Sequence, residues 1–518
     1  MSGTHAPVSS AVRLADALAA LSLATDAGNG FPLEKSLRTA LVATRLAAVA
    51  GLDDATRADV YYVALLRSLG CTAYAHETAA LLGGDDIAFH NLYEQLDPGH
   101  PAEFLRDVLT GMGAWAAPAV RARSVARFLT VGRRVAPVAG RSACEVSVSV
   151  AGRLGLSPDV AAGLAHVYER WDGRGVPDGA AGDELSLAAR VTHIADQVEI
   201  AHRAGGAPAA RAIVLRRAGG HFDPALAAAF AGAADEILSG IDEGDMLLAA
   251  LEAEPEPHAR FPRADLERVA RAFADFADLK SPWMLGHSPA VADLAAAAVR
   301  EDDRPDVRLA GLLHDLGRAS VPNGIWDRRG ALTTAQWERV RLHPHYTERT
   351  LARTAAFSDL AALAASCHER LDGRGYHRGL PAAALTAPMR ALAAADAYRG
   401  MTAERPHRPA RSREDAATAL RGEAAAGRLC RDAVEAVLEA AGHAPASRPA
   451  RPGDLTEREV EVLLLLARGL TNKQIAARLV VSPRTVQHHV AHIYLKIDRR
   501  TRAGAAMFAM EHGLVGPE

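Results

Sequence analysis

Apolar positions recur at helical spacing through most of this chain. Between Leu33 and Leu82 the runs A-L-V-A-T-R-L-A-A-V-A and V-Y-Y-V-A-L-L-R-S-L-G keep that period with almost no Pro or Gly inside, and they predict successive helices. Residues 1–30 read as a loose start followed by a short helix around Leu18 to Leu23. The most informative stretch is Val307 to Ala319, V-R-L-A-G-L-L-H-D-L-G-R-A. Val307, Leu309, Ala310, Leu312, Leu313 and Leu316 supply one apolar face, and Gly317 stands near the helix end. His314 and Asp315 interrupt that face. An imidazole beside a carboxylate in an apolar helix is costly unless something pairs with it. A divalent cation would pair with both, because histidine offers a neutral nitrogen and aspartate can bridge two ions. A solvated His-Asp pair near a helix end is the plainer alternative.

The pattern also repeats. Ala165 to Pro177, A-H-V-Y-E-R-W-D-G-R-G-V-P, returns 200 residues later as A-S-C-H-E-R-L-D-G-R-G-Y-H, Ala365 to His377. A helical run ending in aspartate follows each, at Asp196 and Asp396. A-L-L-R-S-L-G from Ala64 likewise matches G-L-L-H-D-L-G from Gly311. Such matches predict a tandem duplication of one helical domain. The copies differ where chemistry would sit. Arg67 and Ser68 stand opposite His314 and Asp315, Ala143 opposite His343, Val167 opposite Cys367 and Tyr168 opposite His368. Asp196 survives, but one carboxylate does not make a dinuclear site. The first copy, 31–250, is therefore expected to be a metal-free pseudo-domain that dimerises, binds a ligand without turnover, or merely packs against the second.

Residues 251–263 are rich in Pro and charge and read as a linker. The second copy, 264–442, carries six candidate metal ligands on successive helical segments: His287, His314, Asp315, His343, His368 and Asp396. His345 and His407 are expected to be surface histidines. Residues 443–453 hold several prolines and read as a semi-stiff spacer. In 454–518, Thr456 with Glu459 and Thr471 with Gln474 form capping boxes, and Ser482 followed by Pro483 starts a third helix. Two short helices joined by a brief turn, the second beginning S-P-R-T-V, predict a helix-turn-helix.

Composition narrows the picture. Aromatic residues are only 5% of the 518, and alanine is abundant, which favours close-packed helices over β-sandwiches and supports an all-α fold. The four cysteines are scattered, which fits a reducing, cytoplasmic compartment. No apolar run reaches the roughly 18 residues of a membrane span. The formal net charge of −3 says little about the whole chain, but from Arg468 to Arg502 eight basic residues face the single acid Asp498. That local patch points to phosphate contact and hence to DNA.

Residues from about 265 to 440 resemble the HD-GYP phosphohydrolases, through L-L-H-D-L-G, the H-P segment at His343 and H-E-R-L-D-G-R-G-Y. The resemblance implies a two- or three-metal centre held by His287, His314, Asp315, His343, His368 and Asp396, with cyclic di-GMP as the usual substrate. On this view Asp315 bridges the ions and Arg318 presents a guanidinium to the phosphate, and these two are the candidate catalytic residues. The chain departs from the family pattern at five places. Arg318 stands for Lys, Cys367 for a second His, His377 for Pro, Thr347 for a frequent Gly, and Trp283 for a Glu that some members carry. The last change argues against a third ion. Cys367 biases the cofactor among Fe, Mn, Zn and Mg toward zinc or iron, with one or two ions expected.

Leu455 to about Val515 resembles the C-terminal DNA-binding domain of LuxR-type regulators, through L-T-E-R-E-V-E-V-L, G-L-T-N-K-Q-I-A-A-R-L and S-P-R-T-V-Q-H-H-V-A-H-I-Y-L-K-I. It implies a four-helix fold that binds DNA as a homodimer. Ser482, Arg484, Thr485, Gln487 and His488 would then face bases or adjacent phosphates, while Thr471, Lys473 and Lys496 hold the backbone. The combined expectation is a cytoplasmic transcription regulator whose HD part binds metal and senses or hydrolyses a cyclic dinucleotide or another phosphorylated ligand. The alternative is a phosphodiesterase first, with DNA binding as an accessory.

Overall fold

In the computed structural model, residues 11–443 apart from 98 and 115, and 452–497 apart from 468, are described, with a few single positions beyond. The chain forms two compact units, 1–443 and 444–518. Both are helical. Among the described residues the only strands are two short segments, Ala11–Arg13 and Arg260–Pro262. The helical spacing of the apolar residues thus becomes an all-α fold.

In the first unit the two strands pair antiparallel, with Val12 opposite Phe261. Each leads toward a helix, Leu14–Gly28 after the first and Leu266–Leu279 after the second. These helices occupy equivalent places in the two copies. Near the end of the first, Asp26 accepts hydrogen bonds from Ser36 N at 3.0 Å and Ser36 Oγ at 2.6 Å. Asp278 accepts the same pair from Ser288, at 3.0 and 2.7 Å. Burial pushes both carboxyls up to about 7. The later repeat is equally close. Glu169 accepts from the backbone of Asp178 and Gly179 at 2.7 and 3.1 Å, and Glu369 from Arg378 and Gly379 at 2.9 and 3.2 Å. Gly70 and Gly317 each lie so near a carbonyl, of Ala143 and His343 respectively, that a Cβ would sit 2.0 Å from it.

The copies share one core. Leu18, Leu21 and Leu23 of the first helix lie in the same buried cluster as Phe273 and Phe357. The Asp16 carboxylate accepts from Ala355 N and Ala356 N of the second copy, at 3.2 and 2.7 Å. Lys280 and Asp86 form a buried ion pair at 2.7 Å across the junction. The stretch 251–263, read as a linker, is packed into this unit. Phe261 joins the core, and buried Glu254 takes both Arg13 and the Tyr62 hydroxyl. The first copy begins ahead of residue 31, with the strand at Ala11 and the buried helix behind it. Charge and proline suggested solvent here, but strand pairing with a partner some 250 residues away is invisible to local pattern.

The second unit contains the helices Glu457–Ala467, Asn472–Leu479 and Pro483–Lys496. Their starts use the expected caps. Glu459 accepts from Thr456 N at 2.8 Å, Gln474 from Thr471 N at 2.9 Å, and Ser482 Oγ from Thr485 N at 3.1 Å. Val462, Leu463, Ile475, Val486 and Ile493 form the core, with Val490 packed against it. Val480 makes the turn between the second and third helices with φ 54°, an unusual value for a β-branched residue.

Candidate metal centre and DNA-binding unit

The six predicted ligands of the second copy converge. His287 starts the helix His287–Ala297, and His314 follows the helix Arg304–Leu313. His343 starts His343–Leu351, His368 lies beyond Ser358–Ala364, and Asp396 sits within Ala387–Thr402. The apolar faces of these helices bury together and carry the polar residues inward. His287 Nε2 lies 3.3 Å from Asp396 and 3.6 Å from Asp315. His314 Nε2 lies 3.5 Å from Asp315 and 3.8 Å from Asp396. His343 Nε2 approaches the other Asp315 oxygen at 3.5 Å, and His368 Nδ1 approaches Asp396 at 3.5 Å. Two donors bound tetrahedrally to one ion stand about 3.4 Å apart, given metal–nitrogen bonds of about 2.1 Å.

The ring nitrogens are oriented from behind. His314 Nδ1 donates to Gly311 O at 2.7 Å, and His343 Nδ1 donates to Val340 O at 2.6 Å. Each Nε2 is thereby turned to the centre, the arrangement that carbonyl partners impose on metal-binding histidines. Thr347 ties the elements together, donating to His314 O at 3.0 Å and accepting from Gly317 N at 2.9 Å. His314 Nε2, His343 Nε2 and both Asp315 oxygens are buried without a hydrogen-bond partner. So many orphaned polar atoms at one point would cost several kcal/mol unless a cation satisfied them.

Electrostatics agree. Burial lowers His343 to about 3 and His368 to about 4, leaving neutral imidazoles, the form a metal takes. Burial works against charge on Asp315 too, but His314 and Arg318 outweigh it and hold the carboxyl below its usual range. Burial also opposes charge on His314, yet Asp315 and Asp396 raise it to about 9. The two carboxylates thus demand positive charge beside them, which a bound dication would supply. Cys367 is fully buried and adds its sulfur to His343 and His368, the three donor atoms lying within 4.8 Å of one another.

Arg318 sits at the edge, its Nε 3.5 Å from Asp315 and its guanidinium 3.7 Å from the centre of the Trp326 ring. Trp326 is held in turn by donating Nε1 to Arg318 O at 3.1 Å. Sequence reasoning missed Arg405, although it noted the neighbouring His407, which is exposed. Arg405 donates to Trp283 O at 2.8 Å, and burial followed by Arg318 lowers it to about 10. The R-P pair before His407 was the available signal.

The first copy keeps the frame and changes the chemistry. Lys35 stands where the second copy has His287, and Arg67 where it has His314. Lys35 donates to Asp196, and Arg67 lies 3.3 Å from Asp196 and 2.9 Å from Glu94. An ammonium and a guanidinium thus accompany Asp196, where its counterpart Asp396 faces imidazoles. Lys35 was also missed. The signal is spacing, since it follows Asp26 as His287 follows Asp278, with serine next in both cases.

In the second unit Lys473, Arg484, Thr485, Gln487 and His488 are exposed on the second and third helices. Thr471 and Ser482 serve as caps at the starts of those helices. Lys496 differs from expectation. Its ammonium pairs with the largely buried Glu459 at 2.7 Å and donates to Asp454 O at 3.1 Å. The glutamate of the capping box sits one helix away in space, which spacing along the chain does not show.

Helices thus gather imidazoles and carboxylates that could hold a metal ion at one buried point, in a chain that also carries a capped helix-turn-helix. The HD domain family matches residues 142–226 and 271–430, one segment in each copy, and the bacterial regulatory proteins of the luxR family match 454–509. The chain thus carries HD-domain sequence, matched in two segments, together with a luxR-family domain. It is similar to 3'3'-cGAMP-specific phosphodiesterase 3 of Vibrio cholerae, 29% identical over 77% of this chain and 88% of that one. It is 38% identical to cyclic di-GMP phosphodiesterase PA4108 of Pseudomonas aeruginosa, over 24% of this chain and 31% of that one. The C-terminal part is 46% identical to the transcriptional regulatory protein LnrK of Bacillus subtilis, over 12% of this chain and 28% of that one. A crystal structure of a cyclic GMP-AMP specific phosphodiesterase of V. cholerae shares the fold, with a TM-score of 0.57 at 24% identity, covering 84% of this chain and 99% of that one. No described helix is long and apolar enough to cross a membrane.

Proposed function

We propose that this chain is a DNA-binding regulator whose second HD copy holds one or two divalent ions and takes a cyclic dinucleotide, which it hydrolyses at a phosphodiester bond. The observation that carries this reading is the set of buried, unpartnered donors on His314, Asp315 and His343. His287, His314, Asp315 and Asp396 would hold one ion. Asp315, His343, His368 and the Cys367 sulfur would hold the other. Bound ions would supply Lewis-acid polarisation of a phosphoryl oxygen. Arg318, steadied on Trp326, and Arg405 provide fixed positive charge for the phosphate. The sulfur favours zinc or iron over magnesium. The similarity to a 3'3'-cGAMP-specific phosphodiesterase of V. cholerae and a cyclic di-GMP phosphodiesterase of P. aeruginosa supports a cyclic dinucleotide.

The domain reading that goes with this is a degenerate copy up to about residue 250, a metal-holding copy over 264–442 and a DNA reader over 454–518. Arg484, Thr485, Gln487, His488 and Ser482 would meet base edges and nearby phosphates in the major groove. Lys473 and Thr471 would position the backbone, and a homodimer would span two half-sites. All of this suits the cytoplasm, where DNA and the ligand meet. The similarity over 77% of the chain to a phosphodiesterase favours a second reading, an enzyme first with DNA binding as an accessory.

The test is metal content of the purified full chain, hydrolysis of 3'3'-cGAMP and cyclic di-GMP, and operator affinity with and without each. Turnover lost in Asp315→Ala is expected. Intact dinucleotides after incubation with metal-loaded protein would exclude the enzyme. An operator affinity indifferent to ligand would leave only the second reading.

A further inference from the structure

The first copy retains a cleft where the second has its metal centre, and the cleft has become apolar. A cavity of about 120 Å³ opens there. Five of its lining residues are counterparts of residues at the metal site. Gly70 corresponds to Gly317, Cys71 to Arg318, Ala143 to His343, Tyr168 to His368 and Val176 to Tyr376. A guanidinium, two imidazoles and a phenol have been exchanged for a thiol, a methyl, a phenol and an isopropyl group. Phe89, Tyr93 and Phe128 add further rings to the wall.

Charge rules out the second copy's type of ligand. Among the described residues Glu94 is the only formally charged one on the lining, and Arg67 pairs with it at 2.9 Å. Lys35 is committed to Asp196. Among the described residues no uncommitted cation faces the cavity to meet a phosphate. Neutral polar groups do line it. Cys71 Sγ and the Tyr168 hydroxyl are 3.1 Å apart, and His90 carries a buried Nδ1 without a partner. The volume is close to that of engineered apolar cavities, about 150 Å³, that take one benzene ring.

We propose that the degenerate copy is a receptor for a small uncharged molecule with one aromatic or alicyclic ring, seated in the remodelled cleft. The rings and aliphatic groups supply the affinity, and His90 with the Cys71–Tyr168 pair fixes a polar substituent. The long helix Pro118–Leu154 forms one wall through Phe128, Gly132 and Ala139. Gly132 is a place to fill the cavity, because the atoms nearest to a Cβ there belong to the Phe128 ring, at an ordinary contact distance of 3.4 Å.

The experiment uses the full chain with 4-fluorotoluene as probe, followed by fluorine NMR line broadening, with toluene as competitor. Saturable broadening is expected, unchanged by chelator and unchanged in Asp315→Ala, so it does not depend on the metal site. Gly132→Leu and Ala139→Phe should each reduce binding at least tenfold while keeping the wild-type melting temperature. Absence of saturable broadening in the wild type would overturn the proposal. Equal binding in a folded, filled variant would overturn it too, as would displacement of the probe by cyclic di-GMP. None of these results bears on whether the second copy hydrolyses a cyclic dinucleotide.

Discussion

Removing the Asp196 carboxylate tests the claim that fixed cations replace the metal ligands in the first copy. Lys35 and Asp196 side chains are 3% and 1% exposed, and Arg67 is 10% exposed. Asp196→Ala leaves a buried ammonium and a guanidinium with Glu94 as the nearest remaining partner, and with Glu199 and Asp26 acting on Lys35. Breaking a buried pair from one side costs about 3–5 kcal/mol, because the surviving charge stays desolvated. The unit of residues 1–443 has one shared core. If it melts as one, its unfolding entropy is about 0.9 kcal/mol per degree at the usual per-residue value. The melting temperature should then fall by about 3–5 °C. Burial opposes ionisation of Asp196, but Arg67 and Lys35 outweigh it and depress its pKa. A depressed carboxyl stabilises fully above its unfolded pKa of about 4 and loses that contribution as pH falls toward the folded value. The gap between wild type and Asp196→Ala should therefore be constant near neutrality and close in acid. Calorimetry from pH 3 to 7, with chelator present, measures both. A variant melting within 1 °C of wild type at pH 7, or a gap that widens in acid, would refute the ion-pair account.

Asp315→Ala should lose bound metal, by elemental analysis, without changing the operator affinity of the C-terminal unit. Chelation of the wild type should lower its melting temperature, since a ligand that binds only the native state stabilises it. Cobalt-loaded protein should show a thiolate-to-metal charge-transfer band in the near ultraviolet that disappears in Cys367→Ser, and its absence from the wild type would remove sulfur from the ligand set. Lys473→Ala should weaken DNA binding at all sequences and reduce the salt slope by about one contact. Lys496→Ala should instead destabilise the C-terminal unit, because it strips the partner from Glu459, and a reduced salt slope with unchanged melting would reverse that assignment.

The sequence by itself determined the helices, the duplication and the identity of the convergent donors. Periodicity of apolar residues fixes which face is buried, and a repeated H-E-R-L-D-G-R-G-type phrase fixes correspondence between copies. His314 and Asp315 were legible because a charge pair inside an apolar face demands a partner. The caps at Thr456, Thr471 and Ser482 were legible because their hydrogen bonds span only three residues. Tertiary structure alone decided what lay far apart in the chain. Asp16 meeting Ala356, Phe261 pairing with Val12, and Lys496 turning to Glu459 are contacts that no local period encodes. So is the replacement site, where Lys35, Arg67, Glu94 and Asp196 come from four separate segments. Local sequence sets backbone conformation and the direction of each side chain. Which charge neutralises which is settled only when distant segments exclude water together.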